Sequence, residues 1–340
     1  MATIASTSVV ALDAQKNIRE DLGNVIFNVT PFMTPFTSGI SQARATADTH
    51  EWLTDTYEDA IDTNARVEAG LPQTSTAGTT RVRLGNFIQI ADKTVTVTKK
   101  AEFMDRAGIP GKEMAYQLMK LGKELQMDVE KQTLGCYGAV STKFQGTAGA
   151  AGVSGAFGSY LVTNQQNGGV AGAVANPGNA AGVGDGSTVP TVGGVTAAIE
   201  QARMDSLLDG VWNNSGDINS AKIMASAGTV SSLRNTLIGM ADNVDSNLNA
   251  NSTSGGNIIS RVAVYVSQFG PIAVVPNKHM PANTLYVVDY STWGLAFAGG
   301  KKIHSTDIAT QTSAEQKLLE CYYTLEARSE EANAAYYNIA

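Results

Sequence analysis

The sequence is short of charge. Lys and Arg number 24 and Asp and Glu 31 of 340 residues, 16% in all, against roughly 25% in ordinary soluble domains. Surfaces covered by neighbours need few charges, so the deficit suits an assembly; a biased genome or a secreted repeat protein would also produce it. The chain has no Lys/Arg run and a net charge of -7, which argues against a strong grip on a phosphate backbone. Its two cysteines, Cys136 and Cys321, lie far apart without CxxC or zinc spacing. They fit small buried hydrophobes in a reducing compartment, and the sequence does not decide whether they pair. No apolar run approaches the length of a membrane span. The start, Met1-Ala-Thr-Ile-Ala-Ser6, lacks a basic region ahead of an apolar core, so no secretory signal is expected.

Catalytic patterns are missing as well. The three histidines, His50, His279 and His304, stand apart, and His50-Glu51 lacks the second histidine of a zinc-binding HExxH. There is no GxSxG elbow. Asp55, Glu58, Asp59 and Asp62 cluster without the EF-hand pattern and read as a solvated or salt-bridged face. Gly108-Ile-Pro-Gly-Lys112 lacks phosphate-loop spacing. These absences predict no enzyme, no cofactor and no metal. Trp52, Trp212 and Trp293 are isolated and read as core or interface anchors.

What is present begins with a ribbon. His50–Glu58 and Thr80–Thr98 are extended segments joined by a long polar connection over 60–78. The outgoing strand is acidic and the return strand carries Arg81, Arg83 and Lys93. A two-stranded hairpin is marginal alone, so it needs a surface, and that surface can be another copy. Candidate contacts between subunits are Trp52, Asp55, Glu58, Arg66, Glu68, Arg81 and Arg83. Ahead of the ribbon, residues 1–49 read as an arm: weak helical periodicity over 7–27, then Thr30-Pro-Phe-Met-Thr-Pro-Phe36, which favours extended backbone.

After the ribbon, Met114, Leu118, Leu121, Leu125 and Val129 recur at helical spacing and predict a long amphipathic helix over 109–135. The Gly- and Ala-rich stretch of about 144–195 reads as a flexible, irregular loop. Helices are expected at 196–208 and 228–240, and strands at 220–226, 261–267, 272–275 and 283–289, a compact α+β unit. Near the end, Leu319, Cys321, Tyr323 and Leu325 alternate with Glu320, Tyr322, Thr324 and Glu326, the pattern of a long strand with one buried face.

This order of parts resembles the major capsid proteins of tailed bacteriophages, with their Hong Kong 97-type fold. The resemblance is carried by His50-Glu-Trp52, Thr63-Asn-Ala-Arg-Val-Glu68, Arg81-Val-Arg-Leu-Gly-Asn-Phe-Ile-Gln-Ile90, Ala115-Tyr-Gln-Leu-Met-Lys-Leu-Gly-Lys-Glu124, Val264-Tyr-Val-Ser-Gln-Phe-Gly270, Val275-Pro-Asn277 and Tyr322-Tyr-Thr-Leu-Glu326. It spans about residues 30 to 335. It implies an N-terminal arm (1–49), an extended loop (50–98), a peripheral domain with a spine helix (99–189), an axial domain (190–290) and a return to the peripheral domain with a long C-terminal strand (291–340). It also implies hexamers and pentamers of the chain closing into an icosahedral virion shell around double-stranded DNA, bound without sequence specificity. Assembly would take place in the host bacterial cytoplasm, without a membrane; scaffolding, portal and decoration proteins are further candidate partners. Some members of the family lock the shell with a Lys–Asn bond from the loop. Here no Lys lies between His50 and Asp92, so no such bond is expected. The alternatives are an encapsulin-like compartment shell and a secreted or surface β-rich adhesin.

Overall fold

A computed structural model describes residues 32–57, 60–62, 65–68, 81–104, 111–135, 142–168, 174–176, 178, 182–192, 196–215, 217–218, 220–239, 264–309 and 313–340. The weak helix expected over 7–27, the strand residues 261–263 and Cys136 lie outside them.

The long strand, Ala314–Ala327, organises a five-stranded sheet. Along one side it pairs antiparallel with Gln89–Thr98, from Ala314↔Thr98 to Tyr323↔Gln89. Along the other it pairs first with His304–Ile308 and then with Trp293–Ala298. Ser41–Ala45 adds in parallel outside Trp293–Ala298. The predicted alternation holds: Leu319, Cys321, Tyr323 and Leu325 are buried. Towards its end the strand is buried on both faces, Thr324 and Glu326 included.

The return half of the ribbon is therefore two elements. Only Val82–Phe87 pairs with Thr49–Thr54 as a hairpin. Gln89–Thr98 belongs to the sheet, because Val95 and Val97 bury against Met114 of the helix above, which the hairpin could not offer.

That helix runs from Glu113 to Leu134. Leu118, Leu121, Leu125 and Val129 pack towards Leu319, Cys321 and Tyr323. Its wet side is tied to the sheet where Lys93 Nζ reaches Asp128 Oδ2 at 2.8 Å and Glu124 Oε2 at 3.5 Å.

The second sheet has six strands in the order Gln165–Asn167, Ala334–Tyr337, Leu285–Asp289, Ala221–Ala225, Gly270–Pro276, Val264–Ser267. Leu285–Asp289 is buried along its whole length. Tyr286 and Val288 face the core shared with the spine helix. Leu285 and Val287 face a second core under the helices Gln201–Ser215 and Ala227–Gly239. Burial on both faces produces this unbroken apolar run. The first of these helices starts five residues later than its periodicity suggests and runs on to Ser215. The last strand, Ala334–Tyr337, joins this six-stranded sheet, so the chain's end does not stay with the sheet of the long strand.

Two local expectations change. The Pro-containing segment after Thr30 forms a short helix, Pro35–Gly39, with Pro in its first turn, where the missing N–H costs nothing. The Gly/Ala-rich stretch is irregular, yet its described residues include core. Phe157, Tyr160 and Leu161 are completely buried. Its glycines serve close packing: a Cβ on Gly184 would lie 1.8 Å from the Tyr160 carbonyl oxygen. Gly186, at φ +82°, would clash with the Tyr160 ring. Composition points to flexibility here; the aromatic anchors override it.

Candidate assembly surface

The hairpin of Thr49–Thr54 and Val82–Phe87 has two unlike faces because side chains alternate along a strand. The cross-strand pairs His50↔Asn86 and Trp52↔Leu84 point at the body of the chain. Glu51↔Gly85 and Leu53↔Arg83 point away from it.

The inner face is clamped. Asn86 is fully buried. Its Nδ2 donates to the Leu325 carbonyl (2.8 Å) and to Ser154 Oγ (3.0 Å). Its Oδ1 accepts from the backbone N–H of Gly155 (2.8 Å) and Phe87 (2.9 Å). A side chain that meets this many backbone groups fixes the position of the root, since removing it would leave buried partners unsatisfied. Trp52 packs 6.0 Å from the Tyr160 ring and 5.9 Å from His50. His50 Nε2 lies 3.5 Å from Glu326 Oε2, and Arg328 Nε reaches Glu326 Oε1 at 3.2 Å.

The His50 contact, followed by the Arg328 guanidinium, holds the Glu326 carboxyl below the usual carboxylate range, against the opposing effect of burial. A depressed folded value stabilises the fold fully above the ordinary carboxylate range, and that share is lost as pH falls through the folded value. The stability gap between the native chain and Glu326→Gln is expected to narrow as pH is lowered through the carboxylate range, measured by chemical denaturation at each pH. A gap that stays constant with pH contradicts this.

Among the described residues, the outer face is open to solvent. Glu51 pairs with Arg83, and Arg81 Nε lies 3.2 Å from Asp55 Oδ2. Both pairs sit in solvent, where ion pairs contribute little. Leu53 is 65% exposed, Ile61 56%, Val67 80%, and Tyr57 is fully open. Arg66 and Glu68 are exposed beside them.

Of the residues expected to meet a neighbour, Trp52 turns inward onto its own chain. Asp55, Arg81 and Arg83 stand outward in pairs within the hairpin. Arg66 and Glu68 lie open on the far connection, and Glu58 falls outside the described residues. The root clamp of Asn86, Ser154 and Glu326 and the apolar set Leu53, Tyr57, Ile61 and Val67 lie outside those expectations. The apolar set was open to detection, since large apolar residues recur in an otherwise polar connection. The clamp has no sequence signal, because its partners come together only in the fold.

Among the described residues, no three His, Cys, Asp or Glu side chains converge as metal ligands. Burial pushes the buried Cys321 thiol up to about 12, far from a reactive thiolate. Among the described residues no helix is long and apolar enough to cross a membrane.

A clamped hairpin, a spine helix laid on a sheet built around one long strand, and a second α+β unit define the Hong Kong 97-type class of capsid protein. Within that class the chain belongs to the SU10 major capsid protein family, whose model matches residues 3–340. The major capsid protein of Escherichia phage Phieco32 is 31% identical over 117 residues, which cover 34% of this chain and 33% of that protein. The match thus spans about a third of the length of that curated relative. The capsid asymmetric unit of cyanophage A-1(L) shares the fold with TM-score 0.65 at 12% identity, over 97% of this chain and 99% of that one. The SrpI encapsulin of Synechococcus elongatus PCC 7942 is more distant, with TM-score 0.50 at 9% identity, over 92% of each chain.

Proposed function

We infer that the chain is the shell subunit of a tailed-phage head. It forms hexamers and pentamers that close into an icosahedral capsid around double-stranded DNA, in the cytoplasm of the bacterial host. The observation that carries this is the hairpin: rigid at its root, with Leu53, Tyr57, Ile61 and Val67 exposed beyond any core of its own. Apolar surface of this kind is covered when subunits meet. The sheet around the long strand then serves as the peripheral domain and the six-stranded sheet as the axial one. With a net charge of -7 and no basic run, the shell encloses DNA without gripping it. The subunit performs no catalysis. Scaffolding, portal and decoration proteins are its proposed partners besides itself.

The test is to express the full chain and image it by negative stain, then run the particles on a denaturing gel. Closed shells or ring capsomers that dissolve to single subunits are expected. A stable monomer under all assembly conditions overturns the reading. A covalent ladder carrying a loop peptide overturns the inference, from the missing Lys, that the hairpin holds its neighbours by packing and charge alone.

A further inference from the structure

The edge of the six-stranded sheet carries two apolar patches on opposite sides. The hairpin Val264–Ser267/Gly270–Pro276 is apolar on both faces. Tyr265, Ile272 and Val274 face inward into the core under the helix Gln201–Ser215. Val264 and Val266 must therefore point the other way. They stand opposite Ala273 and Pro271 in register, and all four are exposed. Val266 is 76% open, though such continuous apolar strands belong where both faces are covered. On the helix side, Trp212 stacks on Phe269 with ring centroids 5.1 Å apart and planes 16° apart, and stays 42% exposed.

The charges beside the patches are complementary. Lys222 lies next to Ala273 in the sheet, on the valine side, with its Nζ 4.6 Å from the Tyr290 ring centroid. Asp205 and Asp209 border the aromatic stack, accepting from Tyr265 Oη and Gln268 Nε2.

We propose that the Val264/Val266 face of one copy docks on the Trp212–Phe269 stack of the next, head to tail. Two different patches on opposite sides of one edge make a heterologous contact, and such contacts close into rings when the rotation allows. An isologous pair would instead bring like against like and stop at a dimer. Exposed Trp beside apolar surface is the composition of a binding hot spot. The inference rests on the shell-subunit reading and names the contact that would build its rings.

The test mixes two full-length populations, one carrying Val266→Cys and the other Asn213→Cys, the latter leaving the adjacent Trp212 in place. The unaltered chain is oxidised in parallel as the control for the native thiols. Oxidised particles should yield cross-linked dimers from the mixture and none from either population alone. Val266→Asp should reduce ring assembly at least ten-fold at equal concentration while leaving thermal unfolding of the unassembled chain unchanged. Particles that form normally without the mixed cross-link overturn this contact but not the shell reading. So does self-linking of the Val266→Cys population, or normal assembly of Val266→Asp. A native chain that forms no rings or shells overturns both.

Discussion

Replacing Glu130 with alanine is expected to cost the fold about 3–5 kcal/mol, measured by chemical denaturation of the unassembled chain. Glu130 sits on the spine helix with no solvent exposure. Its Oε1 accepts from the Phe36 N–H at 2.9 Å and from Asn277 Nδ2 at 2.7 Å, and its Oε2 from the Thr37 N–H at 2.7 Å. One carboxylate thus joins three parts of the chain: the short helix of the arm, the spine helix, and the end of the strand Gly270–Pro276. Alanine takes the acceptor from the buried Phe36 N–H and the part-buried Thr37 N–H, and leaves Asn277 Nδ2 only Met224 Sδ at 3.4 Å; an unsatisfied buried donor costs about 1–3 kcal/mol, and water entering the gap offsets part of the sum. Glu130→Gln keeps one acceptor and turns an amide N–H towards the others, so its cost should fall between. Tyr290 supplies a second readout. Burial, and then the Glu130 charge, push its phenol up to about 12. Either substitution removes that charge, so Tyr290 should titrate lower in the variants, a change a merely steric loss would not produce. If Glu130→Ala unfolds like the native chain and Tyr290 does not move, the carboxylate does not join these parts.

Glu130 also shows what sequence reading could not reach. In the linear pattern it falls among Glu124, Asp128 and Lys131, polar positions of an amphipathic helix. Nothing local separates a buried carboxylate from a solvated one, because its three donors lie 93 to 147 residues away. The elements with strong periodicity were legible: the spine helix from its spacing of Leu and Val, the long strand from alternation over 319–325. Those whose partners are chosen at long range were not. The return arm reads as one strand from 80 to 98, yet it divides at Ile88, one part serving the hairpin and the other pairing with Ala314–Ala327. The hairpin was legible as an element needing a partner surface. Its inner and outer faces were not, since Trp52 and Leu53 are both large and apolar and only register decides which of them turns inward.

The Gly/Ala-rich stretch gives the second large effect. Phe157→Ala is expected to cost about 3–5 kcal/mol, the range for a fully buried Phe truncated in a core that relaxes only partly. The Phe157 ring lies 4.4 Å from that of Trp293, 4.6 Å from Tyr286 and 5.7 Å from Phe36, so it touches the five-stranded sheet, the six-stranded sheet and the arm together. Its helix is a single turn, Phe157–Tyr160, too short to persist by itself. The ring therefore holds the segment in place, and the segment in turn carries Tyr160 against Trp52 and Ser154 against Asn86. Truncating Phe157 should accordingly loosen the hairpin root, whereas a cavity beneath the helices of the six-stranded sheet should not. Hydrogen exchange separates the cases. Comparing Phe157→Ala with Leu208→Ala, whose side chain is equally buried in the second core, amides of Thr49–Thr54 and Val82–Phe87 should lose protection in the first variant and keep it in the second. Equal protection of those strands in both would mean that the Gly/Ala-rich stretch is only a filler between sheets, and that the hairpin root is held by the long strand alone.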